Sequence, residues 1–470
     1  MENPNSGERW NRTVMEDNML AMFDASEAKD AHQDAIDDRI AFLDAVRASS
    51  IVPKHGKPPT SKIFGAVFHM LRTGKSLELI MKSYKLLVNL DRHFPRAYLS
   101  DSQLYSGSPS QLVVVKEAWS PIVDCIDNPP AGNEASSKLS GGPLDPSSFQ
   151  LLIEELAEIL TETKFLAASM EPLRNMLLFQ YLVTVFEGDF LPRNASLNWS
   201  MQRESLLNLL LGSRKINYKS LMKNCLIIIC QLSQLQNELS KYTELQESSE
   251  SHLSKNCYAA LSLALLGVLK NTCVSIEKLL VMIMNLDMAR KKADIEGHTI
   301  RADGPRTPLL DIILDELAYN KYTVPFFLKV FSEPKWKLEI VVQYLWKYIT
   351  KPSVRTRKSN DYTEDSTFDG ALKCFSNKTG TKSLIKKIGG DAVQLLLAHG
   401  FQAQLSILSE GNMEDNIASD KEGRAIALVH LSQSFISAFN SLRSTYEHME
   451  ILSIGKEALF AAATIISMKS

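Results

Sequence analysis

Residues 335–349, KWKLEIVVQYLWKYI, are apolar around most of a helical circumference. Leu338, Val341, Val342, Leu345 and Ile349 recur at helical spacing, and Trp336, Ile340, Tyr344 and Tyr348 form a second apolar row beside them. Lys335, Glu339, Gln343 and Lys347, each four residues from the next, make one polar stripe. A helix with so little polar surface is stable only when neighbours cover it on two sides, so the chain must build a packed helical assembly around it. Pro352 is expected to stop the helix, because proline cannot continue the hydrogen-bonded ladder.

The rest of the chain repeats this period. Helical spacing begins near Leu20 and is clear over 36–46, 63–71 and 77–90. It continues through 151–160, 170–186, 206–211, 218–245, 253–269 and 274–288, and after these 309–317, 384–397, 425–439 and 451–466. Val113, Val114 and Val115 are the best strand candidate, but they stand isolated, and no sheet is expected. About fifteen helices with short connections give an all-α fold. Helix pairs recur at roughly the spacing of armadillo or HEAT units, without clean self-similarity. The expected architecture is an irregular armadillo/HEAT-like α-solenoid, preferred over a compact multi-helix bundle.

Local signals set the expected boundaries. Thr60 and Ser76 read as N-caps, Gly74 as the stop between them, Thr307-Pro308 as a helix start and Asp391 as a further N-cap. The polar residues 1–15 and the Pro/Gly/Ser-rich insertion 124–149 are expected to be disordered, since neither can bury enough apolar surface to offset its ordering entropy. The organisation read from composition is thus 1–15, a helical region 16–123, the insertion 124–149, a central helical-repeat region 150–352, a charged loop region 353–380 and a C-terminal helical region 381–470.

Signals for chemistry are thin. The formal charge is -2, so binding to nucleic acid or a membrane would need a local patch. Apolar runs such as 221–232 fall short of the roughly 20 residues that cross a bilayer, and the N-terminus lacks a secretory pattern. The six cysteines include no Cys-x-x-Cys pair, which points to buried free thiols in a reducing compartment. His69, His252, His298, His399 and His430 stand alone, with His298 and His399 read as loop residues, so no zinc site is expected. Gly389 and Gly390 lack phosphate-loop spacing, and Glu154, Glu155 and Glu158 belong on an exposed helix face. No enzyme activity, metal or cofactor is expected.

One cluster stands out as a candidate contact: Lys351, Arg355, Arg357 and Lys358 fall within eight residues. It reads three ways, as a solvated loop, as a partner or nuclear-import signal, or as a sequence-blind phosphate contact. Asp361, Glu364, Asp365 and Asp369 follow closely and offset its charge. Lys382, Lys386 and Lys387 form a second cluster that could join it in space; Arg290, Lys291 and Lys292 suit a helix C-terminus.

Several longer blocks carry a family resemblance: DRIAFLDAVRASSIVP (38–53), EAWSP (117–121), NWSMQRESLLNLLLGSRKINYKSLMKN (198–224) and PKWKLEIVVQYLWKYITKPSVRTRK (334–358). In these the chain resembles the plant negative regulators of systemic acquired resistance, nuclear proteins of armadillo-like helical architecture. The resemblance implies a nuclear, non-enzymatic scaffold that represses pathogenesis-related gene expression and homologous recombination. It also implies partners among the subunits of the structural-maintenance-of-chromosomes five/six complex, and transcription regulators. The alternatives are a direct DNA-binding repressor, which no helix-turn-helix, homeodomain or zinc-finger pattern supports, and a cytosolic helical adaptor.

Overall fold

The computed structural model describes residues 18, 20–21, 33–53, 56–100, 111–122, 143–161, 170–246, 254–300, 303, 306–349, 367–410, 420–446 and 449–468. Among these residues it contains 17 α-helices, one short 3-10 turn and one two-stranded sheet, so the all-α class stands and is consistent with a helical solenoid. The chain divides into two compact units, Met1–Arg306 and Thr307–Ser470. This division falls inside the stretch that composition assigns to one central region.

In the first unit, α1 (Gln33–Ser50) and α2 (Ser61–Thr73) pack on α3 (Leu77–His93). Ser76 caps α3 as expected, accepting a hydrogen bond from the Leu79 N–H at 3.2 Å, whereas Thr60 occupies the N-cap of α2 without a side-chain bond. Contrary to expectation, β1 (Ala97–Ser100) pairs antiparallel with β2 (Gln111–Val114), bringing Tyr98 opposite Val113 and Ala97 opposite Val114. Each strand is only four residues long, too short to show alternation, so cross-strand pairing rather than local pattern establishes them.

Helix α4 (Pro146–Thr161) begins inside the segment expected to be disordered. Asp145 accounts for this: it accepts hydrogen bonds from the Ser148 N–H and hydroxyl and from the Ser147 hydroxyl, and Phe149 is buried one turn in. Residues 124–142 of the expected insertion, and residues 1–15, lie outside the described residues.

The centre of the unit is α5 (Glu171–Ala195), which packs against α2, α3, α4, β1, α6 (Trp199–Arg203), α7 (Leu206–Gly212) and α9 (Ser254–Ile295). Its apolar residues point all round, so Phe179, Tyr181, Phe186 and Phe190 are fully buried. Helix α8 (Tyr218–Gln246) lies against α4 and α9. Two helices expected at 253–269 and 274–288 are one continuous helix, α9. Within it the Thr272 hydroxyl bonds back to the Val268 carbonyl at 2.8 Å and also receives the Gln180 amide at 2.8 Å, tying the helix to α5.

In the second unit, α10 (Leu309–Tyr319) starts one residue later than Thr307-Pro308 suggests, with Pro308 at the cap. A 3-10 turn, Lys321–Thr323, and α11 (Val324–Val330) lead into α12 (Pro334–Ile349). That helix packs against α10, α13 (Phe368–Cys374), α14 (Lys378–Ile388) and α15 (Gly390–Glu410). Trp336, Ile340, Val341, Val342, Tyr344 and Leu345 are buried, and in the polar stripe Lys335, Glu339 and Lys347 are exposed while Gln343 is half-buried. Both apolar rows therefore find the cover that their spacing requires. Helix α13 and the first turn of α14 fall within the region read as a charged loop, because α13 is short and buries only Phe368, Ala371 and Leu372; the rest of α14 lies in the region expected to be helical.

The unit closes with α16 (Asp420–Thr445) and α17 (Ser453–Ser467). Gly423–Thr445 is long and apolar enough to cross a membrane by length and composition alone. One face of it is buried, with Phe435, Ala438, Phe439 and Leu442 inside and Phe435 stacked on Phe401 of α15 at 4.4 Å. Asp391 lies in the first turn of α15 rather than at its cap. Gly389 ends α14 at φ 100°, and a Cβ on Gly390 would stand 2.7 Å from the Tyr446 ring, so both glycines serve chain reversal and packing.

Candidate partner-binding surfaces

Lys351, Arg355, Arg357 and Lys358 lie outside the described residues. What is described is the stem of that segment, the C-terminal turn of α12. The Lys387 Nζ donates to the Tyr348 carbonyl at 3.1 Å, and the Lys321 Nζ donates to the Lys387 carbonyl. The second lysine cluster of the sequence thus meets the end of α12, three residues before Lys351. Lys292 falls in the last turn of α9, where a cation suits the helix dipole.

The EAWSP block forms a wall of the first unit. Trp119 stacks on Phe64 at 5.4 Å and meets the Phe68 ring edge-on at 5.4 Å. The Arg96 Nη2 clamps its backbone, donating to the carbonyls of Ala118 at 2.9 Å and Trp119 at 2.6 Å. Beside it opens a groove of about 1150 Å³, lined in part by Pro58, Phe94, Tyr98, Trp119, Leu191 and Pro192. Asp91 also lines this groove. Burial pushes its carboxyl up to about 7, partly offset by the Tyr181 hydroxyl and the charge of Arg96.

The block 198–224 is likewise spent on packing. Asn198 caps α6 and Ser205 caps α7, and the Trp199 Nε1 donates to Asp303 at 3.3 Å. A second cavity of about 730 Å³ lies between Trp199 and the last turns of α9, with Leu197 on its rim at φ 53°. Sequence patterns gave no sign of either cavity, since each combines residues far apart in the chain.

Several other shifted groups are buried in the helical core. Burial pushes the Cys225 and Cys230 thiols up to about 12, which suppresses the thiolate. His399, expected in a loop, is buried within α15, and burial followed by the charge of Lys337 lowers it to about 4. His298 is exposed beside Glu296 at 3.3 Å. Among the described residues no three His, Cys, Asp or Glu side chains stand together as a metal site.

The molecule is therefore an all-α protein with open grooves and a lysine-rich helix on its surface. Models of the SNI1 middle domain and the SNI1 C-terminal domain match residues 96–333 and 349–470. The chain is 42% identical over 462 residues, covering 97% of its own length and 95% of the relative's, to the "Negative regulator of systemic acquired resistance SNI1" of Arabidopsis thaliana. It belongs to this family of negative regulators of systemic acquired resistance. No solved structure matches the chain. The family's middle domain extends to residue 333, whereas packing assigns α10 and α11 to the second unit.

Proposed function

We propose that this chain is a non-catalytic nuclear scaffold that restrains plant defence gene expression and homologous recombination, as a regulatory subunit alongside the structural-maintenance-of-chromosomes five/six complex. The observation that carries the reading is likeness to a negative regulator of systemic acquired resistance along nearly the whole chain, through both compact units. A physical argument supports it: in the blocks that carry the family resemblance, the residues with the most distinctive contacts, Trp119, Trp199, Ser205 and Trp336, are used in packing and capping. Such a chain offers partners a shaped surface. The basic segment Lys351, Arg355, Arg357 and Lys358 is the proposed contact to the complex or its DNA.

The test is purification of the tagged chain from plant nuclei at moderate salt after nuclease treatment, read by mass spectrometry. Stoichiometric recovery of the chromosome-maintenance subunits supports the scaffold. Recovery of transcription regulators alone moves the function to promoters, and absence of the chain from nuclei favours a cytosolic adaptor. Arg355→Glu, Arg357→Glu and Lys358→Glu together should weaken retention; unchanged retention removes the basic segment from the proposal.

A further inference from the structure

Helix α14, KTGTKSLIKKI, holds Lys378, Lys382, Lys386 and Lys387 and not one carboxylate. Lys378, Lys382 and Lys386 are exposed and four residues apart, so they form one line about 12 Å long at 1.5 Å rise per residue. The opposite face buries Thr381, Leu384 and Ile388. Like charges at this spacing repel, and the helix carries no acid that would relieve them. None of these three lysines makes an ion pair among the described residues.

The C-terminal end of this line meets a group of tyrosines. Lys387 is tied to the Tyr348 carbonyl, and Lys321 to the Lys387 carbonyl. Lys321 is flanked in the chain by Tyr319 and Tyr322, which are 90% and 88% exposed. Tyr348, half-buried, packs on Tyr344 at 5.3 Å, and the Tyr344 hydroxyl donates to the Leu317 carbonyl at 3.4 Å, two residues before Tyr319. This chain of contacts brings two rings with open faces and the basic line to one end of the second unit. Among the described residues the acids near them are few: Asp315 is paired with Lys347 at 2.9 Å, Glu316 has its own interaction, and Asp391 is exposed at the start of α15.

We propose that α14 and the Lys321 turn, with Tyr319 and Tyr322, form a binding surface for single-stranded nucleic acid. Lysines in a line neutralise successive backbone phosphates, a salt-dependent and sequence-blind contribution. Tyrosine rings with open faces stack on unpaired bases, which a duplex keeps inside its own stack. Lys321 and Lys387 also cover carbonyls at helix ends, which fixes the two parts of the surface against each other. A lipid headgroup or an acidic peptide would satisfy the lysines but give the rings no bases to stack on. The inference goes beyond the scaffold reading and does not depend on it.

The experiment uses the full chain and two fluorescein-labelled probes, a 30-nucleotide oligothymidine and a 30-base-pair duplex, with anisotropy followed over a range of sodium chloride. The single strand should bind more tightly than the duplex. Lys378→Gln, Lys382→Gln and Lys386→Gln together should flatten the dependence of log affinity on log salt. Tyr319→Ala with Tyr322→Ala should lower single-strand affinity about 10-fold or more and leave that salt dependence unchanged. All five positions are exposed, and unaltered circular dichroism and melting would show that the variants fold. Equal loss for single strand and duplex in the tyrosine variant, no binding by the native chain, or binding indifferent to both sets of changes would each overturn the proposal. Recovery of the nuclear complex reports on the scaffold separately, so failure of one leaves the other standing.

Discussion

Arg193 sits one turn beyond Asp189 on α5, with its Nε 3.1 Å from the Asp189 carboxylate and both side chains buried. The second Asp189 oxygen accepts the Leu206 N–H at 2.8 Å, and the Arg193 Nη1 donates to the Met201 carbonyl at 3.1 Å. One ion pair thereby fastens both short helices, α6 and α7, to the central helix of the first unit. Removing one partner strands the other. Arg193→Ala should cost about 3–5 kcal/mol, measured as a shift in the denaturant midpoint. Asp189→Leu with Arg193→Met should recover only part of that loss, since the Leu206 N–H and Met201 carbonyl stay unpaired.

Asp91 predicts a pH dependence. Its folded carboxyl is raised to about 7 against an ordinary value of 3.8, chiefly by burial. Between those values the folded chain holds a proton that the unfolded chain has released. Stability from this group is therefore full below about 4 and is lost as pH rises through about 7. Asp91→Asn should remove that part of the slope, so the variant should gain melting temperature relative to the native chain at pH 8 and not at pH 4. An unchanged difference across this range would contradict the assignment.

Gln394 ties the start of α17 to α15: its amide donates to the Glu450 carbonyl at 3.0 Å and its oxygen accepts the Leu452 N–H at 2.7 Å. A Cβ on Gly455 would lie 2.6 Å from that oxygen and 3.2 Å from Phe439. Gly455→Ala should therefore cost about 1–3 kcal/mol through displacement of the amide. In a double-mutant cycle with Gln394→Ala the double variant should lose less than the sum of the two single losses; strict additivity would exclude the contact.

Arg306 places its guanidinium 2.7 Å from Asp287 and 5.1 Å from the centre of the Tyr218 ring, with both charged side chains largely buried. Lysine keeps the charge but loses the planar stack and the second donor. Arg306→Lys should destabilise the first unit by about 1–3 kcal/mol, measured by chemical denaturation of the full chain.

Much of the helical content was legible because it rests on periodicity. The two apolar rows of 335–349 required cover on two sides, and the buried Trp336, Ile340, Val341 and Leu345 have it. Ser76 was readable as a cap since its bond to Leu79 is local. The sheet was not legible, because β1 and β2 each gain their hydrogen bonds from a partner outside their own four residues. The candidate surfaces were legible only as fragments: four lysines in one segment, two tyrosines in another, EAWSP in a third.

By itself, then, the sequence determined the all-α class and which faces must be buried, for these follow from spacing within single segments, and it carried the family through the likeness of whole blocks such as 198–224 and 334–358. Tertiary structure alone decided that the helix over Ser254–Ile295 is tied to Gln180 through Thr272, that α10 and α11 pack with the second unit, and that Lys321 meets Lys387. The physical reason is common to all three. Each depends on hydrogen bonds or packing between residues distant in the chain, and local periodicity carries no record of such partners.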